Sequence, residues 1–163
     1  MIEMLIYTAI LVILAMVVVN VFLGLRRSTT ALSATQVIEA SAIISLERMT
    51  REIRDASSVD TGLSTLGSSP GILQLNTTDA GGVPTTIQFY VSGQALRVKE
   101  AGVDMGPLSS TSTRITNLVF RKITTAQSSA VKIEMTLESG TSTSYRQKKF
   151  YSTVVLRGSY PVQ

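Results

Sequence analysis

Three short patterns in this chain have the form of catalytic or modification motifs. Gly67-Ser68-Ser69-Pro70-Gly71 fits the G-x-S-x-G frame of a serine nucleophile, which needs a strand-to-helix elbow to expose the hydroxyl and an imidazole to take its proton. The chain has no His, so the pattern reads as a loop. Ser129-Ala130-Val131-Lys132 matches S-x-x-K, but Lys132 falls in an alternating run that points it to water, where its amine stays protonated and is no base. Asn76-Thr77-Thr78 is a glycosylation sequon by form and argues for surface exposure only. With neither His nor Cys, the sequence excludes imidazole acid/base pairs, thiol nucleophiles, disulfides and Cys/His zinc sites. No Walker loop, dinucleotide fingerprint or calcium loop occurs, and Asp79 and Asp104 stand too far from other acids to suggest a calcium site. The expectation is a protein that is not an enzyme and needs neither cofactor nor metal.

One ionisable residue does stand in an unusual place. From Met4 to Val19 the chain carries no charge, and after Asn20 it continues Val-Phe-Leu-Gly-Leu until Arg26 and Arg27 close the run. As a helix, Met4 to Leu25 is roughly 33 Å long, against a bilayer core of about 30 Å. A cleaved signal peptide would have a shorter apolar region, a basic start and a small-residue cleavage site, and none of these is evident. Met4, Leu5, Ile6, Ile10, Leu11, Ile13, Leu14 and Val17 are therefore expected to face lipid or other apolar helices. Glu3 sits at the edge of this run, and a carboxylate costs about 2.5–3.5 kcal/mol at the bilayer centre. It needs either a partner or a seat among the headgroups.

The stretch Ile2-Glu3-Met4-Leu5-Ile6-Tyr7-Thr8-Ala9-Ile10-Leu11 resembles the N-terminus of type IV pilins and type II secretion pseudopilins. In that family a prepilin peptidase cuts after a Gly, the new terminal residue is N-methylated, and a Glu lies four residues further on. The resemblance implies that Glu3 is this glutamate, pairing with the terminal amine of a neighbouring subunit as the helix leaves the membrane for a filament. A buried carboxylate and a buried ammonium are each costly unless they meet. It also implies two residues before Met1, preceded by a basic leader ending in Gly. The Arg26-Arg27 pair alone would favour a cytoplasmic C-terminus, so the exported orientation comes from the resemblance and not from the charges. The implied partners are other pilin or pseudopilin subunits, the prepilin peptidase, the inner-membrane assembly platform and membrane lipid, with an extension ATPase elsewhere in the machine. Leu46 to Ala56 is similar, more loosely, to the helix end of larger minor pilins, the minor pseudopilin J group in particular.

Three segments position these residues: 1–25, an apolar helix; 26–58, its amphipathic continuation; and 59–163, a sheet domain. In the second, Ile38, Ala42, Leu46, Met49, Ile53 and Ala56 recur at helical spacing and predict a stripe packed on a sheet. Glu47–Arg51, Arg48–Glu52 and Arg51–Asp55 are i,i+4 pairs on the other side, and the helix should end near Ser57 or Ser58. Gly24 and Ser28-Thr29-Thr30 are the weak points of a continuous rod. The third segment predicts strands at 72–75, 86–91, 95–99, 115–123, 131–137 and 149–157, with 92–94 as a three-residue hairpin connection. Helix first and strands after gives an α+β fold, one antiparallel sheet with the helix on its concave face, as in pilins.

Only 16% of residues are charged and mean hydropathy is +0.28, which disfavours disorder. Of the net charge of +4, the excess lies in residues 59–163, with ten basic against six acidic residues. Arg121, Lys122, Arg146, Lys148 and Lys149 are a candidate patch for DNA or another acidic partner, though without interleaved aromatics a solvated strand face is the simpler reading. The expected function is a structural, minor subunit of a type IV pilus or of a secretion or competence pseudopilus, first in the inner membrane and then in an extracellular or periplasmic filament. The alternative is a single-pass anchor bearing an exported binding or receptor domain, which leaves Glu3 without a task.

Overall fold

The computed structural model describes residues 2–125, 128–141 and 145–157. Met1 and the side chains of Leu5 and of residues 25–31, including Arg26 and Arg27, lie outside the described residues. One helix, α1, runs from Ile2 to Asp55 without a break, passing through Gly24 and the Ser28-Thr29-Thr30 run. Its 54 residues extend about 81 Å. Glu3 in its first turn and Arg54 in its last each suit the helix dipole. The helix stops at Asp55, short of the expected Ser57 or Ser58, because Ser57 donates its amide to Asn76 O at 2.9 Å and Ser58–Val59 is drawn into a sheet.

Eight strands follow among the described residues: β1 Ser58–Val59, β2 Leu73–Thr78, β3 Pro84–Ser92, β4 Ala95–Glu100, β5 Val103–Pro107, β6 Thr113–Thr124, β7 Ser129–Ser139 and β8 Arg146–Val155. The fold is α+β. They form two antiparallel sheets, β1-β2-β3-β4-β5 and β6-β7-β8, in place of the single sheet expected. The reason lies in the loop at 65–71, which lines the edge of β6 where a further strand would go. Gly67 N and Gly71 N donate to Phe120 O and Leu118 O, both at 2.8 Å, and Leu118 N donates to Ser69 Oγ at 3.2 Å. Gly71 is required there, since a Cβ would lie 2.9 Å from Leu118 O. The β3–β4 turn is a two-residue connection, because Ser92 pairs directly with Ala95 and Gly93 and Gln94 both take positive φ, 59° and 66°.

The core lies between the inner faces of both sheets and one side of the second half of α1. Phe89, Leu73, Leu75 and Leu96 contribute from the first sheet, and Phe120, Leu118, Ile133, Met135 and Leu137 from the second. On the helix Ile38, Ala42, Met49 and Ile53 are fully buried, with Leu46 half-buried against the same cluster. Ala34, Ser41 and Ser45 complete the buried stripe. Small residues there let the helix backbone approach the sheet.

Candidate functional site: the N-terminal helix and its flanks

No described side chain between Ile2 and Gly24 is buried: Met4, Ile6, Ile10, Leu11, Ile13, Leu14 and Val17 are all exposed. Apolar residues surround the whole circumference, so this half of α1 has no polar face to turn to water. These 23 residues are long and apolar enough to cross a membrane. Thr8, one of its few polar residues, donates its hydroxyl to Met4 O at 3.0 Å. Glu3 is exposed at the start of this rod and, among the described residues, has no ion-pair partner. Whatever neutralises it in an apolar setting must come from outside the described chain.

Two ion-pair systems fix the second half of α1 to the sheets. Arg48 reaches Glu52 at 3.0 Å on its own helix and Glu100 of β4 at 2.5 Å. Burial raises the Glu52 carboxyl above its usual range, and Glu100 and Asp55 push it the same way against the attraction of Arg48. On the opposite flank Lys148 of β8 pairs with Glu39 at 2.5 Å. Between them Ser41 Oγ lies 3.1 Å from Thr113 Oγ1 and accepts Ser110 N at 3.1 Å. Glu47–Arg51 forms at 3.9 Å, whereas Arg51 does not reach Asp55.

No family model, curated protein or solved structure matches the chain. Function must therefore be argued from these residues alone.

The five basic candidates do not come together. Cross-strand partners in β6-β7-β8 share a face, so the register places Arg121 and Lys149 on the outer face and Lys122, Arg146 and Lys148 on the helix side. Arg121 is also taken by Glu134 at 3.3 Å and Lys148 by Glu39, which leaves no continuous cationic surface from this set. The motif residues have structural partners too. Ser69 holds β6, Lys132 pairs with Glu134 at 2.9 Å, and Asn76 Nδ2 donates to Ser58 Oγ at 3.2 Å. Asp79 Oδ1 accepts Gly81 N and Val83 N in a turn. Asp104 accepts from Tyr90, Arg97 and Gly106 N, and these bonds hold its carboxyl down at about 2. No group of acidic side chains among the described residues is placed to hold a metal. The helix-to-sheet ion pairs were not visible in the sequence, since Glu39 and Lys148, like Arg48 and Glu100, are far apart in the chain.

Proposed function

We propose that this chain is a non-enzymatic, membrane-anchored subunit of a type IV pilus or related pseudopilus, a minor subunit of the filament. The observation that carries the reading is the single unbroken helix from Ile2 to Asp55, predominantly apolar with its described side chains exposed from Ile2 to Gly24, and packed on antiparallel sheets in its second half. Such a rod serves two solvents in turn. In the bilayer its apolar surface faces lipid; after extraction the same surface needs other helices, because a predominantly apolar, exposed 23-residue stretch is not tolerated in water. Glu3, unpartnered within the described residues, would take a neighbouring subunit's terminal amine and so fix the axial register. Filament assembly and the exported orientation are this proposal's, by resemblance; the helix geometry supports the membrane-spanning segment.

The experiment is the N-terminal sequence and mass of the protein from its native cells, together with a Glu3→Gln variant. A methylated residue two positions before Met1, and loss of filament incorporation in E3Q with membrane insertion intact, are expected. An unmethylated Met1, or normal incorporation of E3Q, refutes the assembly role and leaves a plain anchor.

A further inference from the structure

The outer face of the β6-β7-β8 sheet, turned away from the core, is polar, and most of its charged groups are already matched. Arg114 pairs with Glu138 at 3.2 Å, Tyr145 donates its hydroxyl to the same carboxylate at 2.9 Å, and Arg121 and Lys132 both close on Glu134 Oε1, at 3.3 and 2.9 Å. The unmatched groups gather in one place. A depression of about 110 Å³ opens between Asn117 of β6, Glu134 and Thr136 of β7, and Lys149 and Tyr151 of β8. The register accounts for its shape: Asn117, Thr136 and Lys149 lie side by side across the three strands, Glu134 and Tyr151 share the next row, and Thr136 is the small side chain among larger ones.

Among the described residues, the side chains of Asn117, Thr136, Lys149 and Tyr151 have neither a hydrogen bond nor an ion pair. Glu134 Oε2 is also left over, since both cations take Oε1. Thr136 is the telling member. It is only 5% exposed, and a hydroxyl so deep in a protein is normally hydrogen-bonded, yet this one has only the depression it lines to face.

These groups set the chemistry of an occupant. Lys149 brings a positive charge with no carboxylate to meet it, whereas the charge of Glu134 is met by Lys132 and Arg121, which hold its carboxyl below the ordinary range. Four cations on this face stand against two carboxylates, which favours an anion. Asn117, Thr136 and Glu134 Oε2 together offer donors and acceptors, which suits hydroxyl groups, since each hydroxyl both gives and takes hydrogen bonds. The Tyr151 ring, 61% exposed and with Lys132 Nζ 5.7 Å from its centre, adds a flat apolar wall. A bare carboxylate would leave the acceptors unused, and a neutral sugar would leave Lys149 unmatched. The volume is well below the roughly 300–1,000 Å³ of a pocket that encloses a whole drug-sized ligand, so one ring is held at its edge.

We propose that this depression binds an acidic sugar, one hexuronic acid residue of a saccharide chain, with its carboxylate on Lys149, its hydroxyls on Thr136, Asn117 and Glu134 Oε2, and a C–H face of its ring against Tyr151. The inference does not rest on filament assembly.

The test titrates the full chain in detergent micelles with trigalacturonate, with maltotriose as an uncharged trisaccharide and tricarballylate as three carboxylates without ring hydroxyls, and follows the backbone amide resonances. Trigalacturonate should shift the amides of Asn117, Glu134, Thr136, Lys149 and Tyr151 to saturation, and the other two should bind about tenfold or more weakly. Lys149→Gln should remove the advantage over maltotriose. Thr136→Val, which keeps the shape and deletes the hydroxyl, should weaken trigalacturonate about fivefold or more, with the urea midpoint unchanged or higher because the hydroxyl has no partner among the described residues. If that variant fails to fold, Lys149→Gln and Tyr151→Ala, both at exposed positions, decide. No saturating shift up to about 10 mM trigalacturonate, equal binding of tricarballylate or of maltotriose, or wild-type affinity in these variants would each overturn the proposal.

Discussion

Replacing Arg48 by Met keeps most of the side-chain volume and deletes the charge that sits between Glu52 and Glu100. Glu52 is only 14% exposed at its side chain, Arg48 34% and Glu100 38%, so the system lies between a surface pair, worth about 0–1 kcal/mol, and a buried one, whose breaking costs about 3–5. Discounted for the solvent around Glu100, R48M should lose about 1–3 kcal/mol at pH 8. The loss must depend on pH. The Glu52 carboxyl already titrates above its ordinary value, mainly through burial, so its favourable contribution is complete below that value and disappears as pH rises through the raised one. Without Arg48 the repulsion from Glu100 and Asp55 acts unopposed, the titration moves higher, and more stability returns on acidification. Urea unfolding of the full chain in micelles, followed by tyrosine near-UV circular dichroism at pH 8 and pH 4, reads both effects. A deficit below about 0.5 kcal/mol at pH 8, or one of equal size at pH 4, would refute the argument.

Other outcomes follow from single sites. The Ser45 hydroxyl is buried without a partner among the described residues, so Ser45→Ala should raise stability by about 1 kcal/mol, measured in the same urea assay. Gly71→Ala should cost about 1–3 kcal/mol, since its methyl meets Leu118 O and the Phe120 ring; an unchanged midpoint would mean that the loop does not seal β6. Phe120→Ala, at the centre of the core, should cost about 3–5 kcal/mol. Asp104 has its carboxyl lowered to about 2, by Gly106 N first and then Arg97 and Tyr90, so its contribution is present above its ordinary value and lost as pH falls through 2. Between pH 4 and pH 2 the wild-type urea midpoint should therefore fall further than that of Asp104→Asn.

The helix and its buried stripe were legible because Ile38, Ala42, Met49 and Ile53 repeat with the helical period and nothing between them breaks it. Ser41 and Ser45 lie on the same stripe and were not, since small hydroxyl side chains carry no apolar signal. The long alternating strands showed themselves, whereas β1 has two residues and β5, Val-Asp-Met-Gly-Pro, carries two strand breakers. The division into two sheets depends on a loop that pairs through its backbone, a property independent of side-chain pattern. The basic candidates separated for a related reason: Lys148 and Lys149 are adjacent in sequence and therefore face opposite ways in a strand. Glu3 stood out by its polarity in an apolar run, and among the described residues nothing pairs with it.

An uninterrupted helix also has a mechanical meaning. The helix has no break between the apolar stretch and the half clamped by Arg48 and Lys148, so a rigid turn of the sheets carries the apolar end with it. The rod is a lever: tilting its apolar end by about 10° swings the far end by about 14 Å over its length of about 81 Å. A force applied to the apolar end would reach the sheets as torque and displacement along a helix that is unbroken from Ile2 to Asp55.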